Sequence, residues 1–452
     1  MNTPLLAASG PSARIDRLAR RSVLAFATYV AGVALTSLSQ LLVARLIGST
    51  AYGYYAYALA WMTILTYVAA LGFDVSLLRW ISAYCAQQQW GLARGVLRYA
   101  QGRTLAASGV IVLAAGLALG LGAPAMPEEQ VRTFVMGLAL IPILSALWIA
   151  SAAARAFGAV VAALTPDRVV RDGGLVIVVL VLLLWRGATV DASTVMMISV
   201  GCTLCGLIVV HALLRRHRPQ SVAVAVAEYA PAAWRATALP LVVIAASETV
   251  LNRTGVLLFG WIGAGIAAGV YALSFNIAMM VTLPRTAVNA GFAPMVAELY
   301  VRGDLAELQS VVTRAAMWTL LSGLCIAVPL GILAHPLLRW FGPDFTHGVT
   351  ALRVLLSGQL VACAFGPQMY LMTMTGNERS VALLLCVSTI LGAAVGAVLI
   401  RSMGLTGAAI AASAALILWN ASMAVIVWRK LGLVPGLVAR LGVKRATGRP
   451  RG

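Results

Sequence analysis

Four polar residues interrupt an otherwise apolar stretch, 239–261, and their types suit ion and proton binding. They are Glu248, Thr249, Asn252 and Arg253. At 100° per residue, a helix places these side chains on one arc of about 140°. A guanidinium binds anions, and a carboxylate can take up and release a proton. A charged side chain at mid-bilayer costs about 2.5–3.5 kcal/mol, so in a membrane such a stripe must face a partner or a water-filled cavity.

A second polar stripe occurs in an earlier apolar stretch, where Thr36, Ser37 and Gln40 share an arc of about 100° on a helix. Adding 216 to the residue number places Thr36 on Asn252 and Ser37 on Arg253. We therefore predict that both stripes line one central cavity. The alternative is a structural Glu248–Arg253 ion pair, although partners on one helix are preferably three or four residues apart.

Arg285, which follows Pro284, is a further candidate for the cavity wall. Arg253 and Glu248 are then the clearly deep cation and carboxylate of the chain. Other charged residues near the ends of apolar stretches are expected to extend to the membrane interface, as long side chains do. This second group consists of Asp74, Arg79, Arg171 and Asp172.

Composition identifies the class of protein that holds these stripes. Of the 452 residues, 61% are hydrophobic and 10% are charged, whereas soluble domains carry about 25% charged residues. A spanning helix needs about 20 mostly apolar residues. Twelve stretches qualify, so we predict an all-α polytopic membrane protein. They are 23–45, 54–72, 104–122, 133–153, 169–185, 194–214, 239–261, 267–289, 315–334, 350–374, 380–400 and 405–428.

The net charge of +19 would suggest a nucleic-acid partner in a soluble protein, but its distribution gives another reason. With twelve spans and the N-terminus inside, most of the 33 Lys and Arg fall in cytoplasmic segments. The outside loops hold Arg132, Arg186, Arg339 and Arg401. This asymmetry predicts a multi-pass protein of the bacterial inner membrane with both termini in the cytoplasm. No nucleic-acid partner is expected.

The sequence repeats itself at the same offset of 216 residues. Gly53-Tyr54-Tyr55-Ala56 recurs as Gly269-Val270-Tyr271-Ala272, Tyr84 as Tyr300, and Arg98 as Arg314. We predict two parallel six-helix repeats, a plan in which transporters bind substrate between the halves. The predicted units are a basic tail 1–22, an N-lobe 23–214, a linker 215–237, a C-lobe 238–431 and a basic tail 432–452.

Several other chemistries are not expected. Cys202 and Cys205 have the spacing of a metal or redox pair, but they stand within an apolar run without a second pair. Helix packing is the preferred interpretation, and neither a metal site nor a cofactor is predicted. The chain also lacks a Gly-x-x-x-x-Gly-Lys-Ser/Thr phosphate loop, so ATP bound to it is not expected as the energy source.

These features resemble the oligosaccharide-flippase (polysaccharide transporter) branch of the multidrug/oligosaccharidyl-lipid/polysaccharide exporter superfamily. The resemblance covers about residues 20–430. It depends on the hairpin Leu41-Leu42-Val43-Ala44-Arg45-Leu46-Ile47-Gly48-Ser49-Thr50-Ala51-Tyr52-Gly53-Tyr54-Tyr55, on Gly269-x-Tyr271-Ala272, on Phe292-Ala293-Pro294 with Tyr300, and on Met374-Thr375-Gly376.

The resemblance implies two six-helix lobes in a V around a cavity that opens to each side of the membrane in turn. It also implies that an oligosaccharide on a polyprenyl pyrophosphate moves from the cytoplasmic to the periplasmic leaflet. Polysaccharide polymerases and glycosyltransferases of the same pathway are then expected partners, besides membrane lipid. The expected function is transport rather than enzymatic catalysis.

Two other functions stay open. A drug or metabolite exporter of the same fold would favour acidic and aromatic residues in the cavity. A multispanning glycosyltransferase or polysaccharide polymerase would need a large outside loop with catalytic groups. The longest outside segment, about 335–349, offers only His335, Asp344 and His347.

Overall fold

The computed structural model describes residues 11–185, 190–285, 302–374 and 377–436, together with residues 288, 292, 295, 296 and 299. For residues 11–26, 370, 373, 374 and 378 it describes the backbone alone. Tyr300, Thr375, Gly376 and most of the C-terminal tail, which entered the sequence predictions, lie outside these residues. Within the described part the protein is helical and contains no strand.

The chain folds into sixteen α-helices over the described residues. Their bounds are α1 Pro11–Ala70, α2 Phe73–Ala86, α3 Trp90–Gly122, α4 Glu128–Leu138, α5 Leu140–Ala156, α6 Val160–Leu164, α7 Gly173–Leu184, α8 Ala192–His217, α9 Gln220–Val224, α10 Pro231–Trp261, α11 Gly265–Met279, α12 Leu305–Ile332, α13 Ala334–Phe341, α14 Val349–Phe365, α15 Gln368–Met374 and α16 Glu378–Leu431. A π-helical segment, Thr165–Asp172, joins α6 to α7. In the described residues, nine helical segments are long and apolar enough to cross a membrane.

The two longest helices each contain a break at a glycine. In α1, Gly48 has a φ of 76°, and in α16, Gly404 has a φ of 55°. These backbone angles favour glycine because a Cβ would be strained there. A helix of 60 residues would measure about 90 Å, three times the hydrocarbon thickness. The breaks therefore divide each helix into two crossings, as the predicted pairs 23–45 with 54–72 and 380–400 with 405–428 require.

The surface is apolar where a soluble protein would be polar. Along α3, the side chains of Leu113, Leu117 and Leu121 are between 70% and 78% exposed. They are four residues apart, so they form one stripe along the helix. A continuous apolar stripe of this kind needs a lipid environment. The structure confirms a multi-pass, all-α membrane protein.

Buried side chains form one core in each half of the chain and a third core between them. The first contains Phe73, Leu97 and Leu147, and the second contains Leu308 and Trp419. The third unites both halves and includes Tyr52, Tyr55, Val256 and Tyr271. The halves thus have separate packing and meet along a shared apolar seam. The bounds predicted for the lobes and the linker stay predictions, and α1 already begins at Pro11, inside the predicted tail.

The repeated glycines of the two halves meet each other at this seam. A Cβ on Gly53 would lie 2.0 Å from the Gly265 carbonyl oxygen, and one on Gly269 would lie 1.9 Å from that of Ser49. Each Cβ would also lie 3.0 Å from the backbone nitrogen of the other glycine. This reciprocal contact joins equivalent positions of the repeat. It lies near the turns at Gly48 and Gly263, at the end predicted to be periplasmic.

A side-chain cap fixes the start of α8 outside the spanning region. The Asp191 carboxylate accepts hydrogen bonds from the Thr194 backbone N–H at 2.9 Å and from the Ser193 hydroxyl at 2.8 Å. The bonds from Thr194 and Ser193 hold the pKa of Asp191 below its usual value of 3.8. Because the folded-state pKa is depressed, the cap stabilises the fold above about pH 4, and this contribution is lost as the pH falls through the folded-state pKa.

We expect Asp191→Ala to lower stability by about 1 kcal/mol near neutral pH, the usual loss for an N-cap. Asp191→Asn retains an acceptor oxygen and should lose less. The midpoint of thermal unfolding in detergent, measured from about pH 7 down to about pH 3, would show wild type and Asp191→Ala converging at the acid end. A difference that stays constant over this range would contradict a role for the ionised carboxylate.

Candidate functional site

Helix α10 connects the two halves, and this position decides where its polar stripe lies. Near its start, Trp234 Nε1–H donates to the Tyr84 hydroxyl of α2 at 2.9 Å. Further along, Leu258 packs against α16, where a Cβ on Gly396 would lie 3.0 Å from its methyl group. Pro240 stands between these two regions. The residues that follow it, including the predicted stripe, therefore face the junction between the halves.

Arg253 lies at this junction beside two tyrosines. It interacts electrostatically with Tyr52 and Tyr55. Its side chain is partly exposed although protein surrounds it, as expected on the wall of a cleft. About ten residues of helix separate it from Gly263, or about 15 Å, which places it near mid-bilayer. In the described part of the chain, no carboxylate lies within 4.0 Å of its guanidinium, so the alternative Glu248–Arg253 ion pair does not form.

The stripe of the first half reaches the same tyrosines. Gln40 hydrogen-bonds to Tyr55, whose hydroxyl also lies 3.1 Å from Ser199 Oγ. Thr36, Ser37 and Gln40 are all partly exposed. The side chains of Gln40 and Arg253 thus both adjoin Tyr55. The structure brings together the two stripes that the sequence predicted to face one cavity.

Glu248 lies on the wall of the same cleft. Its residue surface is exposed to water, yet the side chain is densely surrounded by protein, and both facts hold for a group lining an internal cleft. It interacts electrostatically with Arg285, the weaker sequence candidate. Asn252 is partly exposed, whereas the Thr249 hydroxyl donates within its own helix to the Ala245 carbonyl at 2.8 Å. Arg285 therefore belongs with the stripe.

An ionic network that the sequence prediction missed lies in the π-helical segment. Asp172 is only 5% exposed, and its carboxylate accepts hydrogen bonds from the Thr36 hydroxyl and from Arg171 Nε, the latter at 2.9 Å. Arg171 also donates to Asp167 at 2.7 Å. Arg168 lies 3.6 Å from Asp167 and donates to Thr36 at 3.3 Å. We call these five residues the Asp172 network.

The expectation that Arg171 and Asp172 extend to the membrane interface is wrong. The wider π-helical turn and the contact with Thr36 place them inside the bundle. Arg253 and Glu248 are thus not the only deep charges. The sequence signal was Asp167-Arg168-x-x-Arg171-Asp172, two acids and two bases at the start of an apolar run. Tyr67 interacts electrostatically with Asp167, Arg168 and Glu248, and so connects the network with the other side of the cleft.

The other interface candidates divide in the same way. Arg79 is exposed, in agreement with the prediction. Asp74 is half-buried, and its backbone carbonyl accepts a hydrogen bond from Arg155 at 3.1 Å. The carboxylate of Asp74 also interacts electrostatically with Arg155 and with Tyr67. Asp74 therefore faces the protein interior and not the membrane interface.

We expect Asp172→Ala to destabilise the protein by about 3–5 kcal/mol, because it removes one member of a buried ionic network and leaves Arg171 less compensated. The matched control is Glu128→Ala. Glu128 pairs with Arg132 at 2.5 Å, but both side chains are more than 60% exposed, and such pairs contribute about 0–1 kcal/mol. Thermal unfolding in detergent should show a large loss for Asp172→Ala and almost none for the control. Equal losses would contradict the network.

Comparisons with known proteins agree with the fold. No family model matches the chain. The uncharacterized membrane protein EpsK of Bacillus subtilis (strain 168) is 32% identical over 190 residues, which cover 38% of this chain and 36% of that protein. The chain thus matches little more than a third of the length of this relative.

Solved structures extend the agreement to most of the chain. An inward-facing multidrug resistance MATE family transporter of the MOP superfamily superposes with a TM-score of 0.69 at 13% identity, over 86% of this chain and 92% of that one. The MATE multidrug transporter DinF-BH, solved in complex with a small molecule, gives 0.63 at 16% identity, over 95% and 98%. A mutant of the Vibrio cholerae MATE transporter VcmN gives 0.63 at 16% identity, over 92% and 97%. The chain therefore has the fold of the MATE transporters of the MOP superfamily.

Proposed function

We propose that this protein is a lipid-linked oligosaccharide flippase that moves polyprenyl-pyrophosphate-linked glycan units from the cytoplasmic to the periplasmic leaflet by alternating access. The observation that carries the proposal is Arg253, a cation near mid-bilayer, partly exposed in a cleft and without a carboxylate within 4.0 Å among the described residues. Such a group favours an anionic substrate, because an unpaired charge in this position needs a counter-ion.

The surroundings of Arg253 suit a substrate that is both charged and rich in hydroxyl groups. Gln40 and Asn252 present amides, and Tyr52 and Tyr55 combine an aromatic ring with a hydroxyl. Amides both donate and accept hydrogen bonds, as sugar hydroxyls do. A cleft with such walls reduces the cost of taking a glycan through about 30 Å of hydrocarbon. The lipid tail of the substrate would stay in the bilayer.

The membrane potential supplies a driving force for this direction of transport. Moving one elementary charge across the membrane changes the free energy by about 2.3 kcal/mol per 100 mV. With the cytoplasm negative, a pyrophosphate with about two negative charges gains roughly 4–5 kcal/mol when it moves outwards. Exchange against H⁺ or Na⁺ is a second source, for which Glu248 is a suitable carboxylate because it is exposed to the cleft.

The arrangement of the halves supports access from one side at a time. At the predicted periplasmic end, backbone contacts close the seam, the Ser49 hydroxyl donates to Asp344 at 2.7 Å, and Arg45 stacks on Trp340 at 5.5 Å. The cleft that holds Glu248 lies on the other side of this seam. Opening towards the periplasm would require these contacts to separate. For the pathway, we propose polysaccharide polymerases and glycosyltransferases as partners.

A multidrug or metabolite exporter is the second candidate, and Glu248 favours it. An exposed carboxylate in the cleft, with Tyr67 nearby, could bind a cationic aromatic compound. Arg285 and Arg253 oppose this interpretation, because both add positive charge to the same cleft.

Transport by the purified full-length protein in proteoliposomes separates these candidates. One set of vesicles contains a short oligosaccharide on polyprenyl pyrophosphate, and the assay measures how much becomes accessible to an impermeant glycosidase. A parallel set measures the uptake of ethidium, a cationic aromatic dye. We expect the lipid-linked oligosaccharide to cross at a rate well above that of empty vesicles. Movement of ethidium without movement of the lipid-linked oligosaccharide would overturn the flippase in favour of the exporter.

A further inference from the structure

A second basic site lies between α3 and α8, at the end of the bundle predicted to be cytoplasmic and away from the central cleft. A cavity of about 280 Å³ is lined there by polar and basic side chains from both helices: Arg94, Arg98, Gln101, His211, Arg215 and Arg218. We call it the α3–α8 pocket. Four guanidinium groups within one concavity repel one another unless an anion is present.

The positive charge of the pocket has no acid beside it among the described residues. None of the residues lining the pocket is Asp or Glu. The Glu228 carboxylate lies nearby, against Gly91 on α3. In the described part of the chain, Glu228 forms no salt bridge with any of the four arginines. The pocket therefore carries an uncompensated positive charge.

Arg94 is held in place and has a donor to spare. Its NH1 group donates to the Ala225 carbonyl at 2.5 Å, and Ala225 belongs to the segment between α9 and α10 that folds over α3. The Glu228 backbone N–H donates to the Gly91 carbonyl at 3.1 Å and fixes the same segment. The Nε–H of Arg94 is buried and has no hydrogen-bond partner among the described residues. A buried donor without a partner is costly, and a bound oxyanion would satisfy it.

The surface beside the pocket is apolar and faces the bilayer. Leu105 follows Gln101 by one turn of α3 and is 65% exposed, and Ile208 precedes His211 on α8 and is 62% exposed. The pocket thus lies where an apolar, lipid-facing surface meets the basic interface. A ligand that fits both parts has an anionic head and hydrocarbon chains. Basic pockets between spanning helices bind the phosphate headgroups of anionic lipids in this way.

We propose that the α3–α8 pocket binds the phosphate group of an anionic phospholipid, with the acyl chains lying against the exposed faces of α3 and α8. The guanidinium groups of Arg94, Arg98 and Arg215 would share the phosphate oxygens. This site is separate from the central cleft, and the proposal does not depend on which substrate the protein transports.

The test compares two double variants of the full-length protein that remove the same charge from the same end of the molecule. Arg98→Gln with Arg215→Gln changes the pocket. Arg79→Gln with Arg235→Gln is the matched control, because Arg79 and Arg235 are exposed and do not line the pocket. Binding is measured by microscale thermophoresis in uncharged detergent, with short-chain phosphatidylglycerol as the lipid probe and glycerol 3-phosphate as the soluble probe.

We expect the pocket variant to bind phosphatidylglycerol at least about tenfold more weakly than wild type, and the control variant to differ from wild type by less than about threefold. Glycerol 3-phosphate should bind wild type at least about tenfold more weakly than the lipid does, because it lacks the acyl chains. Equal losses in both variants would overturn the site. Equal affinity of wild type for the lipid and for glycerol 3-phosphate would overturn the lipid as its occupant.

If the pocket variant does not fold, Arg98→Lys with Arg215→Lys keeps the charge and serves as the second variant. Lysine retains the attraction to phosphate but loses the planar bidentate contact. Binding of phosphatidylglycerol should then fall between wild type and no binding. Unchanged binding in the lysine variant, together with binding to wild type that does not weaken between low and high salt, would contradict guanidinium contacts with phosphate.

Discussion

Arg253→Ala should reduce transport of a lipid-linked oligosaccharide at least about tenfold without removing the protein from the membrane. A hydrogen bond to a charged group contributes about 1.5–3 kcal/mol, which corresponds to roughly 10- to 150-fold in affinity. Arg253 is the central cation that has no carboxylate within 4.0 Å in the described residues, so its removal leaves no protein anion unpaired. We therefore expect the fold to tolerate the change.

Two variants make this result specific. Arg253→Lys keeps the charge near Tyr52 and should retain part of the activity, since a lysine binds phosphate as a point charge. Arg401→Ala is the matched control, because Arg401 is an exposed cation in α16, away from the cleft. Transport is measured in proteoliposomes, and the amount of protein and its unfolding temperature are measured in parallel. Normal transport by Arg253→Ala in folded protein would refute the role of Arg253.

Gly269→Ala should open the predicted periplasmic end of the bundle and stop the transport cycle. The added Cβ would lie 1.9 Å from the Ser49 carbonyl oxygen, and a backbone atom cannot give way as the tip of a side chain can. Overpacking of this kind costs about 1–3 kcal/mol. This cost falls only on the state in which the seam is closed, so the balance shifts by about 5- to 150-fold towards open states.

The change is measurable as a distance between the halves. Spin labels at Thr50 and His347, which lie on either side of the seam, report their separation by pulsed electron resonance in protein without native cysteines. We expect a longer and broader distance distribution in Gly269→Ala. Gly109→Ala is the matched control, because a Cβ on Gly109 of α3 meets nothing within 4 Å. Unchanged distances in Gly269→Ala would show that the seam does not hold this end closed.

The sequence predicted the membrane class and the course of the helices. Its twelve apolar stretches fall on helical segments in the described residues, because a bilayer accepts backbone only when its hydrogen bonds are made within the segment. The polar stripes were also predictable. A polar side chain in hydrocarbon needs an aqueous or protein environment, and helix geometry alone places Asn252 and Arg253 on one face.

The partners of these residues were decided by tertiary structure. Asp172 bonds to Thr36, 136 residues away, and Tyr55 brings Gln40 close to Arg253. Position along the chain suggested that Arg171 and Asp172 extend to the interface, since their depth was judged from one helix alone. A buried charge is stable only where another element supplies its counter-charge and hydrogen bonds, and that element is found only when the helices pack. Sequence thus determined which side chains need a partner, and the packing of α1 against the π-helical segment determined which partner each one has.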